Sequence, residues 1–405
     1  MNYLSLNKLQ KFQDKATLFL IMGLVIAIPI NPSFRSIFLV ASLLFILFTV
    51  KKQYPLSVIF KKPLAWFCIA FFILALLGCF WGEALFSEKM MILEKYSKFL
   101  FFPILIAGFT SKAFRYNALN AYLLVMLGVA FLSFLKWMNI LHCSDLDQGA
   151  VFYNHIITGL MMSYAAYISA WFILKKRFPF FYGLLWALFS FQIFFIGTGR
   201  MSYIIYSVLM GVFFLQILPL RKAFIALLGL SALLGIVYHQ SATIKTATSR
   251  VVYDLKAYEH NEKATSVGYR LSFYAFSKEL ATRHPFLGNG TAGFTHAFSV
   301  EKPTPTWDGI LLEPHNQYWL ILVEFGLLGI AVLCLFLYFL IREIIQLKDM
   351  RILATGLLVA FLVGNLTDSL FFYSTTGLFF ITMMALCLGE NYMNPSSTPR
   401  QALSA

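Results

Sequence analysis

The sequence predicts an all-α polytopic membrane protein. Hydrophobic residues make up 60% of the chain and charged residues only 12%, whereas about a quarter of the residues in a soluble domain carry charge. Apolar runs of about 17 to 25 residues recur along the whole sequence, and each is long enough to cross a hydrocarbon layer of roughly 30 Å. The basic residues fall mainly in the short connections between these runs. No separate soluble domain fits between them.

Twelve apolar runs lie between charged or turn-rich breaks, and they predict about twelve transmembrane helices with both termini inside. The runs cover residues 17–31, 34–50, 63–82, 90–109, 117–138, 156–174, 179–198, 202–218, 223–238, 314–341, 352–368 and 371–389. The runs that meet at Asn31-Pro32 and at Asp368-Ser369 are alternatively re-entrant pairs. We therefore divide the chain into helices one to nine (1–238), an external loop (239–313), helices ten to twelve (314–390) and a cytoplasmic tail (391–405).

Lysine and arginine concentrate in four short connections, which predicts that these connections lie on the cytoplasmic side. They are the connections at 51–62, 175–177, 221–222 and 342–351. The formal net charge of +14 is therefore a topology signal and does not indicate nucleic-acid binding. Three lysines precede the first apolar run, but no small-residue cleavage site follows it, so we predict an uncleaved first helix.

An external connection at 141–155 contains two histidines and two aspartates, namely His142, Asp145, Asp147 and His155. Their spacing matches no pattern of metal ligands, so we predict no metal site there. Cys143 is in the same connection, while the other four cysteines lie in apolar runs. We therefore expect no intrachain disulfide outside the membrane.

The long hydrophilic segment at 239–313 is predicted to be a partly helical external loop. Apolar residues recur at helical spacing over 244–258 and over 269–282. The second of these helices ends at the sequence His-Pro-Phe-Leu-Gly-Asn-Gly, residues 284–290, where proline and glycine break it. Arg270 falls in its first turn, where it either points back towards the membrane or is a solvated surface residue.

His315 follows Pro314 where the hydrophilic segment becomes an apolar run. We predict that its imidazole lies in the first turn of a membrane helix, where the helix dipole disfavours a cation and keeps the ring neutral. A neutral imidazole can accept a proton, so His315 is a candidate general base. The alternative is an interfacial histidine that is hydrogen-bonded to a backbone carbonyl.

Other cationic residues lie at the ends of apolar runs. Arg200 follows a tight Gly-Thr-Gly turn. It is either an interfacial anchor or an anion-binding residue whose guanidinium makes bidentate hydrogen bonds to phosphate oxygens. Lys95 and Lys98 share one face of the fourth run together with Glu94. These two lysines snorkel, pair with the glutamate, or bind an anionic headgroup.

Taken together, these segments resemble the O-antigen ligase family of bacterial envelope enzymes, which also includes O-antigen polymerases and some protein O-oligosaccharyltransferases. The resemblance rests on Gly-Thr-Gly-Arg200, on Gly-Tyr-Arg270 leading to the segment 284–290, and on Pro314-His315-Asn316 leading to Glu324-Phe-Gly-Leu-Leu-Gly329. It covers roughly residues 185 to 340. The family's first motif usually has a serine before its arginine, where this chain has Gly199.

The resemblance implies a GT-C-like glycosyltransferase in the bacterial inner membrane, multi-pass, with its active site facing the periplasm. The donor would be a glycan on undecaprenyl pyrophosphate and the acceptor a hydroxyl of the lipid A-core oligosaccharide. By position, His315 would be the catalytic base and Arg200 and Arg270 would bind the pyrophosphate. We add Asn316, Lys95 and Lys98 as candidate substrate-binding residues. No cofactor is implied, and no dense carboxylate cluster that would require a metal is evident in the sequence.

Three other functions remain open at this point. A polymerase would use the same donor to extend another lipid-linked glycan, and a protein O-oligosaccharyltransferase would transfer it to a polypeptide. A transporter of lipid-linked glycan would explain the many spans, but it would show broken helices and polar residues near the midplane more than a long external loop. A scaffold protein has no need of arginines and a histidine on one face.

Overall fold

The computed structural model describes residues 3–53, 56–141, 146–147 and 149–392. All regular structure within these ranges is helical, which confirms the predicted all-α class. His142, Cys143 and Asp145 lie outside the described residues, and so does the tail from residue 393.

Sixteen α-helices occur in the described ranges. The first ten are α1 (Tyr3–Ala27), α2 (Pro32–Gln53), α3 (Leu56–Phe60), α4 (Pro63–Gly78), α5 (Phe86–Gly108), α6 (Lys112–Trp137), α7 (His155–Leu174), α8 (Pro179–Phe191), α9 (Arg200–Ile217) and α10 (Leu220–Gln240). The others are α11 (Ala242–Glu259), α12 (Ser266–Arg283), α13 (Gly293–Glu301), α14 (Gln317–Gln346), α15 (Arg351–Gly364) and α16 (Ser374–Leu388). A π-helical turn (Gln192–Ile196) extends α8, and a 3₁₀ turn (Gly389–Tyr392) follows α16.

Each of the twelve predicted apolar runs coincides with a described helix, which makes the chain a multi-pass membrane protein. By length and composition, seven helices in the described ranges can cross a membrane, and α4 and α15 are shorter apolar helices. The last two runs were predicted too long at their junction. Between α15 and α16 the chain leaves the helical conformation for nine residues, 365–373, which we call the 365–373 loop.

The helices divide into a buried core and a lipid-facing periphery. In α7, large side chains such as Tyr164, Tyr167 and Trp171 are fully buried. In contrast, Ala223 is the only buried residue of α10. A helix that is apolar all round needs no protein cover when lipid surrounds it. The bundle is therefore built around α7, and α10 lies at its edge.

Ion pairs place three of the four basic connections on one side of the bundle. Lys62 lies 3.1 Å from Glu343, at the end of α14. Lys175, after α7, lies 2.5 Å from Asp349, which precedes α15. Side chains on opposite sides of a bilayer cannot meet, so these connections share a face, as their common charge predicts.

The hydrophilic segment at 239–313 folds into three helices. The two predicted ones are confirmed as α11 and α12, and α13 was not predicted. Both predicted helices begin at a hydroxyl that accepts a hydrogen bond from the first turn: Ser241 from the N–H of Ile244, and Thr265 from the N–H of Gly268. Such caps satisfy N–H groups that lack a partner within the helix.

The segment 284–290 docks into a break in α14. The break is at Gly326, where φ is +60°. The N–H of Gly290 donates to the carbonyl of Glu324 at 2.9 Å, and the N–H of Leu327 donates to the carbonyl of Pro285 at 2.8 Å. A Cβ on Gly326 would lie 2.5 Å from the backbone of Phe286, so only glycine permits this approach. The glycines of both motifs thus serve the packing of two backbones.

Candidate functional site

His315 lies in the connection just before α14. Because α14 begins at Gln317 with Asn316 as its N-cap, the prediction that His315 occupies the first helical turn is wrong. Its backbone is left-handed, with φ at +56°, a conformation uncommon for residues other than glycine. The hydroxyl of Tyr274 on α12 donates to the carbonyl of His315 at 2.9 Å. Helix α12 therefore helps to hold this strained backbone.

Two buried carboxylates converge on the imidazole of His315. Its Nδ1 lies 3.1 Å from Glu313 Oε1 and 3.2 Å from Asp368 Oδ1. Glu313 also accepts hydrogen bonds from the backbone N–H of His315 and from the hydroxyl of Tyr373, both at 2.6 Å. Asp368 and Tyr373 both come from the 365–373 loop. We refer to Glu313, His315, Asp368 and Tyr373 as the His315 cluster.

These contacts change the protonation of the cluster. Burial lowers the pKa of His315, but the hydrogen bond to Asp368 and the negative charges of Glu313 and Asp368 raise it more, so the net pKa lies above the ordinary 6.5. The predicted direction was therefore wrong. Burial raises the pKa of Glu313. Burial also acts to raise the pKa of Asp368, but its hydrogen bond with His315 and the nearby positive charges lower it overall.

The geometry fixes which ring nitrogen of His315 can act as a base. With Nδ1 between two carboxylates, the proton of the neutral ring belongs on Nδ1. In the part of the chain that the structure describes, no hydrogen bond engages Nε2, and 21% of the side chain is exposed. The lone pair of Nε2 is thus available to accept a proton.

The same atoms can alternatively ligate a cation. One ligand atom each from Glu313, His315 and Asp368 lies within 4.8 Å of the others. The sequence-based statement that no carboxylate cluster is present is therefore corrected, because Glu313 and Asp368 come together only in the fold. In this structure the same atoms are hydrogen-bonded to one another, which needs no ion.

Arg270 borders the His315 cluster from α12. Its Nη2 lies 3.8 Å from Asp368 Oδ2, and 27% of the side chain is exposed. The fold thus directs this arginine towards the histidine, which is one of the two alternatives left open by the sequence, and Arg270 is the fifth residue of α12 and not in its first turn. A partly exposed guanidinium next to this imidazole can bind an anionic group.

Arg200 is the first residue of α9, directly after the π-helical turn and the Gly-Thr-Gly sequence. Its Nη2 donates to the hydroxyl of Ser266 at 2.8 Å, and its Nη1 lies 3.7 Å from Asp254. This Nη1 is buried and has no hydrogen-bond partner among the described residues. Arg200 is also within electrostatic reach of Arg270. The structure therefore brings both predicted arginines together.

Lys98 has a structural partner that the sequence did not reveal. Its ammonium donates to the carbonyls of Phe371, Phe372 and Tyr373 at 2.8, 2.8 and 3.0 Å. An ammonium has three hydrogens, so none is left for a headgroup. Lys98 holds the 365–373 loop in place, and we remove it from the candidate substrate contacts.

Lys95 and Asn316 differ in how much of their hydrogen-bonding capacity is used. Lys95 makes one hydrogen bond, to the hydroxyl of Ser374 at 3.1 Å, and is partly exposed. The side chain of Asn316 accepts from the N–H groups of Tyr318 and Trp319 and donates to the carbonyl of Leu366. Asn316 is therefore the cap of α14, which is a structural role, whereas Lys95 remains available to a ligand.

Two of the four candidate ligands in the connection at 141–155, Asp147 and His155, are described, and they contact each other. The Nδ1 of His155 is hydrogen-bonded to Asp147 Oδ2. The other two candidate ligands of this connection lie outside the described residues, so the prediction of no metal site there stays a prediction.

A separate cavity of about 650 Å³ opens beside the C-terminal end of α12. Its polar lining includes Glu83, Arg283, His284, His296 and Glu301. Arg283 is thirteen residues after Arg270 on α12, which is about 20 Å along a helix. This cavity is therefore distinct from the His315 cluster.

Asp368, Glu313 and Tyr373 were not among the predicted site residues. Glu313 was within the stretch that drew attention to His315, but nothing in the sequence relates it to the ring. Asp368 was recognised only as the boundary between two apolar runs. Burying an unpaired carboxylate at such a boundary is energetically unfavourable. The position of Asp368 was therefore the one sequence feature that could have indicated a charged partner for it.

A comparison with protein families gives one match for this chain. A family model described as O-antigen ligase matches residues 184–334. The matched segment contains Arg200, Arg270 and His315, and it ends before the 365–373 loop. No curated protein matches the chain.

Proposed function

We propose that the chain, whose residues 184–334 match the O-antigen ligase family model, transfers a glycan from undecaprenyl pyrophosphate to a hydroxyl of lipid A-core oligosaccharide. The family supports ligase- or polymerase-type transfer between a lipid-linked glycan and a lipid acceptor. The particular donor, the particular acceptor, the inner membrane and the periplasmic side belong to our proposal.

His315 acts as the general base in this proposal. Asp368 and Glu313 hold the ring by Nδ1, and Nε2 takes the proton of the acceptor hydroxyl as its oxygen attacks the anomeric carbon of the donor sugar. The bond between that carbon and the pyrophosphate oxygen breaks, and the electron pair leaves with the pyrophosphate. The raised pKa of His315 makes Nε2 a stronger base once the ring is neutral.

Arg200 and Arg270 stabilise the departing pyrophosphate. Negative charge grows on this leaving group during the reaction, and positioned guanidinium groups lower the free energy of that state. The Nη1 of Arg200 makes no hydrogen bond among the described residues and has only the carboxylate of Asp254 at 3.7 Å, so it retains hydrogen-bonding capacity for a phosphate oxygen. Arg270 lies next to Asp368, so donor binding and the base are coupled through one carboxylate.

The observation that carries the proposal is the chain of contacts from Arg270 through Asp368 to Nδ1 of His315. It joins an anion-binding group to a base with a free Nε2 in one site. A transporter has no use for a base whose tautomer is held by two carboxylates.

Purified protein, incubated with glycan-linked undecaprenyl pyrophosphate and lipid A-core, tests the proposal. We expect the glycan to appear on lipid A-core, with release of undecaprenyl pyrophosphate. Longer glycan on the carrier, formed without any need for lipid A-core, would show a polymerase instead. If neither product forms from protein that binds the donor, the enzyme assignment is wrong.

A further inference from the structure

A second group of cations contacts the start of α16, next to the His315 cluster. Arg35 on α2 donates from Nη1 to the hydroxyl of Thr375 at 2.5 Å. Lys95 on α5 donates to the hydroxyl of the preceding residue, Ser374. Both contacts are at the start of α16, immediately after Tyr373, whose hydroxyl binds Glu313. The contacts thus run from Arg270 through the cluster to Lys95 and Arg35.

None of these cations forms an ion pair with a described residue. Among the described residues, no carboxylate oxygen lies within the 4.0 Å of an ion pair from Arg35, Lys95 or Lys98. Glu94, the nearest acidic residue along α5, has an exposed side chain that takes part in no described ion pair. Arg200 and Arg270, in contrast, each have an acidic neighbour: Arg200 lies near Asp254, and Arg270 lies near Asp368.

Arg35 is buried, so the lack of an ion-pair partner among the described residues has an energetic cost. Arg35 is only 7% exposed. A buried charge without a counter-ion is unfavourable, so such residues in membrane proteins usually serve a ligand or a partner. Lys98, the third cation of the group, is compensated by three carbonyls of the 365–373 loop. Arg35 has only the hydroxyl of Thr375 among the described residues.

A further polar group faces this position. The hydroxyl of Tyr153 is buried, and its polar neighbours are Arg35 and the hydroxyl of Thr375, which also accepts from Arg35. Arg35 and Tyr153 are within electrostatic reach of each other. A phosphate oxygen accepts hydrogen bonds from guanidinium, ammonium and phenol groups alike. The N-terminal end of α16 adds positive potential at the same place.

We propose that Arg35, Lys95 and the hydroxyl of Tyr153 form a second anion site, which binds a phosphate group of the acceptor lipid. This inference rests on the proposed function only for the identity of the ligand. The donor pyrophosphate is already assigned to Arg200 and Arg270. An acceptor held from the Lys95 side approaches Nε2 of His315 from the other end of the contact chain, which keeps the two anionic lipids apart.

A binding experiment tests the site without using activity. Native mass spectrometry of the purified protein with dodecyl phosphate counts bound ligands, and dodecanol serves as the uncharged comparison. We expect two dodecyl phosphates on the wild-type protein and one on R35Q, on K95Q and on a variant that lacks both Arg200 and Arg270. Lys89 is on the same helix as Lys95 and binds the carbonyl of Gly82, so K89Q is the matched control and should keep two. A second phosphate that persists in both R35Q and K95Q overturns the site.

Steady-state transfer then distinguishes the two possible sources of the phosphate. We expect K95Q to raise the KM for phosphorylated acceptor by about tenfold, the value of one charge-assisted hydrogen bond. With acceptor that has been dephosphorylated, wild type and K95Q should have the same KM. A rise in the KM for donor instead would overturn the assignment to the acceptor. Because Lys95 is partly exposed, K95Q remains informative if R35Q fails to fold. If no transfer occurs at all, the ligand count still decides whether the anion site exists.

Discussion

Asp368 Oδ1 lies 3.2 Å from Nδ1 of His315, although 53 positions separate the two residues in the sequence. The contact joins a carboxylate of the 365–373 loop to a histidine that precedes α14. It fixes the tautomer of His315 and raises its pKa. The chemistry that we propose for His315 therefore depends on a loop outside the segment that matches the family model.

Replacing Asp368 by asparagine should weaken the base. Without the negative charge the pKa of His315 falls, and an amide can donate to Nδ1 and so favour the wrong tautomer. We expect the transfer rate to fall by roughly 10²- to 10⁴-fold, and the acidic limb of the pH–rate profile to move to lower pH. Glu301 forms an exposed ion pair with Arg283, so E301Q is the control and should retain normal rate. An unchanged limb in D368N would contradict the role of Asp368.

His315 should be required as a base. H315A and H315Q should each lose about 10²- to 10⁴-fold in transfer rate, because neither side chain accepts the proton. In the wild type the active form is the neutral ring, so the rate should fall as pH decreases through a pKa above 6.5. Donor binding should persist in both variants. A glutamine variant with near-normal rate and an unchanged pH profile would return His315 to a structural role.

Arg270 should be needed for its geometry as well as its charge. We expect R270K to be nearly as damaging as R270A, because an ammonium cannot fork onto two phosphate oxygens. Transfer assays on variants of normal abundance measure this effect. Full activity in R270K would show that a point charge is sufficient. We expect the same pattern for Arg200.

The backbone contact between the segment 284–290 and α14 should be sensitive to a single methyl group. In G326A the new Cβ would clash with Phe286, and alanine would also be strained at a φ of +60°. We expect a loss of about 1–3 kcal/mol or more in stability, measured as a lower melting temperature in detergent. Gly229 in α10 has nothing within 4 Å of an added Cβ, so G229A should be neutral or slightly stabilising. Equal melting temperatures for both variants would refute the docking argument.

Cysteine labelling tests the orientation of the chain. In a background without native cysteines, K263C and D308C should react with an impermeant thiol reagent added from outside. K61C and K348C should not react, because basic connections stay on the cytoplasmic side. All four positions are exposed, so failure to label reports sidedness and not burial. Reaction of K61C from outside would invert the topology and place His315 in the cytoplasm.

The sequence predicts those features that depend on local pattern. The apolar runs correspond to helices, the amphipathic periodicity of the external segment corresponds to α11 and α12, and the positions of Arg200, Arg270 and His315 follow from motifs. Contacts between residues that are far apart in the sequence could not be predicted from it. Asp368 meets His315 because the 365–373 loop is held from two sides, by Lys98 of α5 and by hydrogen bonds to Asn316 and Gln317 at the start of α14. The pKa of His315 was predicted in the wrong direction for the same reason, since the carboxylates that raise it were not recognised as neighbours.

The position of the 365–373 loop, outside the segment that matches the family model, has a consequence for protein engineering. The histidine and arginines are in one stretch of chain, but the carboxylate that orients the histidine arrives from beyond it, fastened by a lysine of α5. A chimera that exchanges only residues 184–334 with a relative would combine a base from one parent with an orienting group from the other. To keep the proposed site intact, α5 and the 365–373 loop must therefore be exchanged together with residues 184–334. The proposed catalytic unit is larger than the segment that matches the family model.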